Sequence, residues 1–261
     1  MQNAVFGAFL KDWRSRRRMS QLDLALHADV SSRHISFLET GRSRPSRSMV
    51  HRLCERLDIP LQARNQLLSA AGLSPSYENR AFENQDMTEV RAALDWMLER
   101  HHPYPAMAVD KHWRIVKLNG MAQALFAIIG LGVGDSVLEA IAGEEAVRNR
   151  IENIDEVVAH LIGRLRTESA HFGNDPVLED IRERLQAIQS GNSDQASGPL
   201  PPVLPTIYIA GGMRLSLFST IAQFGTAEDI ALSELRIELM FPADEQTRLT
   251  LVELANIAVA P

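Results

Sequence analysis

Three serine residues near the N-terminus constrain the fold most strongly. Ser20, Ser31 and Ser46 each precede a short run with apolar residues at helical spacing. Serine is a favoured N-cap because its hydroxyl accepts a hydrogen bond from a backbone N–H of the first turn. The segment 28–30 leaves room only for a tight turn after the first of these helices. The spacing therefore predicts short consecutive helices, the first two of which are joined by that turn.

Two further helices complete a five-helix, all-α domain over residues 1–73. A first helix is predicted from the spacing of apolar residues between Val5 and Trp13, and a fifth from Leu61 to Ala71. In the third helix, Ile35 and Leu38 are expected to point inward. Gly41 can take the left-handed conformation that ends this helix.

The remaining residues predict a different architecture. Residues 74–100 are read as a linker followed by an amphipathic helix, which serves as a connecting helix or a dimer stem. Within 101–261, five strand-like runs are separated by helical stretches and by a mobile loop over 190–205. This order predicts an α+β domain with an antiparallel sheet. The predicted strands are 107–109, 113–118, 206–210, 213–224 and 235–241.

Charge is distributed unevenly along the 261 residues. Residues 1–64 hold twelve Lys or Arg against six Asp or Glu, whereas the remainder holds 15 against 27. A basic segment on an acidic body indicates that only the N-terminal part faces a polyanion. One cysteine, no signal peptide and no long apolar run predict a cytoplasmic protein without a membrane partner.

Two short helices joined by a tight turn, with a polar face on the second, are typical of a helix-turn-helix that enters the major groove. Arg33 can reach guanine and Phe37 a thymine methyl, while His34 is read as a phosphate contact or a solvated side chain. The alternative is a helical bundle that does not bind DNA. The residues expected to contact DNA are Gln21, Ser31, Ser32, Arg33, His34, Ser36, Phe37, Arg42, Arg44 and Arg47.

These motifs resemble a known family. The segments 19–25, 30–31, 35–36, 38–42 and 45–46 resemble the Cro/repressor (XRE) helix-turn-helix, and the string 33–47 is similar to a branch fused to an MmyB-like ligand-binding domain. The runs 103–106 and 234–244, with Trp113 and Asn119, resemble that second domain. The resemblance implies a PAS-like sensor fold able to hold a fatty acid or similar apolar molecule. It also implies an ion pair between Arg14 and Glu39. Asp29 departs from the family's usual glycine, but aspartate tolerates left-handed geometry.

The ligand site is the less constrained part of the sequence. Six apolar residues either line a cavity or fill a solid core, and only the resemblance favours the cavity. The histidines have no metal-ligand spacing, and no catalytic motif is present, so neither a metal nor a required cofactor is predicted. The six residues are Met107, Trp113, Leu118, Phe126, Leu217 and Phe241.

Together these features predict a one-component transcription regulator that is not an enzyme. A homodimer would bind a near-palindromic operator, and a small apolar ligand would change its operator affinity. In the alternative, a constitutive DNA-binding protein uses its C-terminal domain only for oligomerisation. An enzyme fused to a DNA-binding domain ranks last, because no nucleophile, base or metal constellation supports it.

Overall fold

The structure is a computed structural model that describes residues 2–82, 84–190, 203–225 and 227–259. The described residues divide into two compact units. The first takes those within Met1–Asn79, Thr167–Pro176 and Ala227–Ile230, and the second takes those within Arg80–Arg166, Val177–Thr226 and Ala231–Pro261.

The first unit begins with a bundle of short helices, as the serine caps predict. Ser20 forms a capping box with Asp23: its hydroxyl accepts from the Asp23 N–H at 3.1 Å, and the Asp23 carboxylate accepts from the Ser20 N–H at 2.8 Å. Ser31 and Ser46 cap the third and fourth helices in the same position. The helices are α1 (Gln2–Arg16), α2 (Gln21–His27), α3 (Ser32–Glu39), α4 (Arg47–Arg56) and α5 (Leu61–Ala70).

The core of this bundle fixes the orientation of α3. Ile35 and Leu38 are fully buried among apolar residues of the other four helices. Asp29 takes a left-handed backbone with φ of 53°, as expected for the turn between α2 and α3. Gly41 closes α3 with φ of 72°. One stripe of α3 is therefore anchored, and the opposite stripe is displayed.

The second unit contains the sheet and the later helices. A 3₁₀ turn covers Gln85–Met87. The helices are α6 (Thr88–Arg100), α7 (Gly120–Ile128), α8 (Val137–Gly143), α9 (Glu145–Arg148), α10 (Ile154–His171), α11 (Pro176–Ser190), α12 (Ile230–Glu234) and α13 (Glu245–Val259); the end of α10 and the first residues of α11 and α12 belong to the first unit. The strands are β1 (Ala106–Val109), β2 (Ile115–Leu118), β3 (Thr206–Ala210), β4 (Met213–Ala222) and β5 (Arg236–Pro242).

The five strands form one antiparallel sheet in the order β2-β1-β5-β4-β3. Gly211 and Gly212, with φ of 58° and 81°, form the tight hairpin between β3 and β4, a conformation that glycine adopts without a steric penalty. The α+β prediction is therefore confirmed. Strand β5 is the central strand, with two strands on either side of it.

Helix α6 packs on this sheet. Leu94 and Leu98 form a buried cluster with Ala106, Ala108 and Ile237. Its buried leucines are thus covered within the second unit, and the role predicted from the sequence, a connecting helix or a dimer stem, stays a prediction.

Asn119 ties the elements around the sheet together. Its side-chain oxygen accepts from the N–H groups of Ala106 and Ala122, at 3.0 and 2.9 Å. Its side-chain nitrogen donates to the carbonyls of Leu98 and Tyr104, at 3.1 and 2.9 Å. One buried amide thereby links α6, β1 and α7 through hydrogen bonds to four backbone groups.

Several predicted boundaries differ from the structure. β2 starts at Ile115 rather than at 113, because Trp113 has φ of 59° and cannot extend a strand. The helical stretch 137–166 is divided among three helices, and the short helix α12 was not predicted. Within the predicted loop 190–205, residues 191–202 lie outside the described residues.

Candidate DNA interface and ligand cavity

The displayed face of α3 carries the predicted base-reading side chains. Ser32 and Arg33 are exposed, while His34, Ser36 and Phe37 are half-buried. Ser31 caps the helix, and its hydroxyl accepts from the His34 N–H at 3.1 Å. All these positions lie on or beside the stripe opposite the anchor formed by Ile35 and Leu38.

Two arginines flank the ring of Phe37. The guanidinium carbon of Arg33 lies 5.1 Å from the ring centroid, and that of Arg42 lies 5.8 Å from it. Cation–π attraction at these distances restrains both side chains. Phe37 therefore supports two exposed guanidinium groups, that of Arg33 on α3 and that of Arg42 just after it, in addition to the thymine contact predicted for Phe37.

Behind this face, Glu39 joins the first three helices. Its carboxylate accepts from Arg14 Nε at 2.6 Å, from Arg14 Nη2 at 3.0 Å and from Gln21 Nε2 at 2.7 Å. A third nitrogen of Arg14, Nη1, donates to the Met19 carbonyl at 2.7 Å. The hydrogen bond to Glu39 raises the pKa of Arg14 further above its ordinary value. The ion pair that the resemblance implies is present, and Gln21 holds its acidic partner; the phosphate contact predicted for Gln21 stays a prediction.

The arginines that follow α3 bond to the chain after α5. Arg44 Nη2 lies 3.4 Å from the carbonyl of Gly72, and Arg47 Nη1 donates to the Ser76 hydroxyl at 2.7 Å. Both arginines are exposed. Their predicted phosphate contacts would therefore compete with these intramolecular bonds or be made by the remaining guanidinium nitrogens.

A cavity of about 80 Å³ lies between the sheet and the helices of the second unit. Phe126 of α7, Leu138 of α8 and Leu161 of α10 line its helical side. Side chains on one face of the sheet line the other side: Met107, Thr206, Tyr208, Leu217, Ser219, Glu238 and Met240.

The sheet side of this cavity carries a carboxylate. Glu238 is only 7% exposed and lies opposite Met107 in the register of β1 and β5. The hydroxyl of Ser219 donates to Glu238 Oε1 at 2.5 Å. Burial, and secondly the negative charge of Glu238, raise the pKa of Tyr208 above its ordinary value, so its phenol stays neutral. The cavity thus has a polar, acidic wall and an apolar remainder.

The structure brings four of the six predicted ligand residues to this cavity: Met107, Trp113, Phe126 and Leu217. Leu118 and Phe241 are not among its lining residues. Phe241 instead packs against Phe218, with centroids 5.6 Å apart, and against His101 at 4.8 Å. Successive side chains of a strand point to opposite faces of the sheet. Phe241 follows Met240 on β5, so its side chain points away from the face that carries Glu238 and Met240.

Sequence reasoning missed Thr206, Tyr208, Ser219 and Glu238. An alternating strand normally buries its apolar residues and exposes its polar residues, so the pattern gives no reason to place these four in a cavity. The available signal was the flanking context: helices precede β3 and follow β5, so both faces of the sheet could be covered. Alternation alone does not identify a polar residue that faces a cavity.

A second, more apolar groove of about 270 Å³ was not predicted. It is lined by residues of α7, β4 and α13, among them Met121, Leu125, Met213, Leu251 and Ala255. It lacks an ionisable side chain other than His102 among its described lining residues. This groove therefore offers contact area but little to orient a ligand.

Other chemistries have little support in the described ranges. No three His, Cys, Asp or Glu side chains there are grouped to hold a metal ion. Burial raises the pKa of the Cys54 thiol to about 12, so this thiol is not poised as a nucleophile. None of the described helices has the length and apolar character needed to span a bilayer.

Comparison with protein families agrees with this division of the chain. Residues 5–67 match a helix-turn-helix domain, and residues 90–254 match the MmyB-like transcription regulator ligand binding domain. No curated protein is similar enough to count as a match. Since the second match spans more than half of the 261 residues, the chain belongs to the MmyB-like transcription regulators, in which a helix-turn-helix DNA-binding domain precedes a ligand-binding domain.

Proposed function

We propose that this protein is a one-component regulator in which two copies bind a near-palindromic operator and a small molecule in the 80 Å³ cavity changes operator affinity. Each copy places α3 in the major groove. The observation that carries the DNA-binding part is the exposed Arg33, held over Phe37 on the stripe opposite the buried Ile35 and Leu38.

The chemistry of that face suits duplex DNA. The planar guanidinium of Arg33 can donate two hydrogen bonds to O6 and N7 of guanine. The positive excess of residues 1–64 supplies attraction to phosphates that does not depend on sequence. Base contacts then come from α3, and orientation comes from phosphate contacts around it.

The ligand acts only if it binds two arrangements of the protein with different affinity. The resemblance implies a fatty acid as one candidate, and the apolar lining suits any small, largely apolar molecule. A cavity of about 80 Å³ is roughly half the size of one that accommodates benzene, which is near 150 Å³. A longer chain would therefore require the cavity to widen on binding.

Selection of binding duplexes from random oligonucleotides tests the DNA-binding part. We expect one enriched motif with two related half-sites, and gel shifts in which Arg33→Ala weakens binding. Arg150→Ala, which removes an exposed arginine from the second unit, is the matched control. An unenriched pool would contradict the proposal.

Native mass spectrometry of the purified protein tests the remaining parts. A dimer mass with a copurified small molecule supports the dimer and the sensing role together. If added cavity ligands never change operator affinity, the alternative stands: a constitutive DNA-binding protein with a C-terminal assembly domain.

A further inference from the structure

We propose that α6 is the dimer contact of this protein and packs antiparallel against α6 of a second copy, about a twofold axis. This inference rests on the proposed function, because it names the surface that would hold the two proposed copies together. The sequence alone left α6 open between a connecting helix and a dimer stem.

An exposed tryptophan is the first observation. Trp96 is 61% exposed, whereas the other two tryptophans of the chain, Trp13 and Trp113, are 7% and 5% exposed. Leu94 and Leu98, two positions to either side of Trp96, lie on roughly the opposite side of α6 and are buried. Tryptophan is among the residues that contribute most to binding when an interface buries it. The side of α6 that faces away from the sheet therefore carries an unused anchor.

A row of exposed residues extends along this side of the helix. It consists of Glu89, Ala93, Trp96 and Arg100. Their separations of four, three and four residues are those of the contact positions in a coiled coil. The row therefore has the spacing that lets two helices pack along their length.

This row is complementary to itself when it is reversed. In an antiparallel pair centred midway along the row, Glu89 faces the partner's Arg100, and Ala93 faces the partner's Trp96. Opposite charges then meet at both ends, and each indole ring lies over the small side chain of an alanine. A twofold interface needs such a surface, because both copies present the same residues. A parallel pair would instead place like charges together.

The two charged ends of the row are available for a partner. In the part of the chain that the structure describes, neither Glu89 nor Arg100 forms an ion pair. The guanidinium carbon of Arg100 lies 5.7 Å from the ring centroid of Trp96, so cation–π attraction holds this side chain along the row. Trp96 keeps 61% of its surface exposed despite this contact. A second copy would therefore find both the ring and the charges in place.

The length of the row limits the strength of the contact. From Glu89 to Arg100 it extends about 16 Å, at 1.5 Å per residue. A seam this short predicts a weak dimer in solution, so its dissociation has to be followed up to the solubility limit of the protein. An operator with two half-sites would hold both copies close and raise their effective concentration.

Two charge variants test the antiparallel pairing. Glu89→Arg and Arg100→Glu each place like charges together at both ends of the pair, so each full-length variant alone should sediment as a monomer. In an equal mixture, one copy of each variant meets complementary charges at both ends, and dimers should return. A mixture that stays monomeric while the wild type dimerises overturns the antiparallel pairing.

A third variant tests the middle of the row. We expect Trp96→Ala to raise the dissociation constant of the dimer about tenfold or more, measured by sedimentation equilibrium. Leu249→Ala, at a 54% exposed position of α13, is the matched control and should leave this constant unchanged. Since the other two tryptophans are buried, iodide quenching of wild-type fluorescence reports mainly on Trp96 and should increase as the dimer is diluted.

Two further outcomes would overturn the inference. One is a wild-type protein that stays monomeric up to its solubility limit. The other is a dimer that persists in both charge variants and in Trp96→Ala, which would place the dimer contact elsewhere and keep the proposed two-copy regulator. Failure of the proposed function has a different signature, because the selection from random oligonucleotides would then enrich no motif with two half-sites.

Discussion

At the residue scale, Gly7 shows how closely α1 and α3 pack. A Cβ added at this position would lie 2.3 Å from the carbonyl oxygen of Glu39, a backbone atom that cannot rotate away. Glycine at this position is therefore required by contact rather than by conformation. The carboxylate of the same Glu39 holds Arg14 and Gln21, so the packing and the ion pair depend on one another.

We expect Gly7→Ala to destabilise the protein by about 1–3 kcal/mol, the usual cost of forcing an extra methyl into a packed contact. Urea unfolding measured by far-UV circular dichroism gives this change in the free energy of unfolding. Gly120→Ala is the control, because a Cβ there meets nothing within 4 Å. Equal midpoints for Gly7→Ala and wild type would show that the two helices can separate at little cost.

Arg14 is a structural residue in the DNA-binding domain. Its side chain is 12% exposed and that of Glu39 is 2% exposed, so removing the arginine leaves a buried carboxylate without its cation. We expect Arg14→Ala to lower the unfolding free energy by about 3 kcal/mol, near the low end for a broken buried pair. Arg14→Lys keeps the charge but not the paired geometry and should fall between the two. An Arg14→Ala protein that melts like wild type and yet loses operator affinity would contradict the structural role.

At the scale of elements, α3 acts as a unit because one stripe is buried and the other presents Arg33 and Phe37. We expect Arg33→Ala to cost about 1–3 kcal/mol of operator affinity and to relax selectivity at one base pair. Competition gel shifts with single-base operator variants measure both effects, and Arg150→Ala should change neither. A uniform loss across all sequences would instead identify Arg33 as a phosphate contact.

The helices of the first unit were predictable because each boundary has a local chemical cause. Serine caps, the left-handed Asp29 and Gly41 place the starts and stops of α2 and α3, and the apolar spacing places Ile35 and Leu38 inside. The positions of β3 and β4 followed from the turn chemistry at Gly211 and Gly212. Trp113 was misassigned to a strand, because its left-handed backbone leaves no local mark in the sequence.

The face of α3 was easier to predict from the sequence than the cavity was. The face of α3 depends on residues close together in sequence, whereas the cavity joins β1, β3, β4 and β5 with three helices. Glu238 reads as a solvent-facing residue in an alternating strand, and only the tertiary fold places it beside Tyr208 and Met107. Polar residues that face an internal cavity break the pattern from which strand faces are inferred.

At the scale of the whole molecule, the separation of charge indicates how the protein approaches DNA. Residues 1–64 carry the positive excess and the remainder is acidic. The acidic part should be repelled by phosphates, so binding orients the helix-turn-helix toward the duplex. Because arginine–phosphate contacts release counterions, operator affinity should fall steeply as salt rises.

The proposed dimer makes a geometric prediction about the operator. Two α3 helices related by a twofold axis enter successive major grooves about 34 Å apart, so the half-sites should be centred roughly 10 base pairs apart or a multiple of that spacing. Inserting about 5 base pairs between the half-sites turns one of them to the opposite side of the duplex and should reduce affinity to that of a single half-site. Inserting about 10 base pairs returns both half-sites to the same side of the duplex. It should recover part of the lost affinity only if the dimer can span the longer distance. Gel shifts on these operators, with a duplex carrying one half-site as the reference, measure the effect. Equal affinity for the native and the half-turn operators would mean that each copy binds DNA independently, and the dimer would then have no role in recognition.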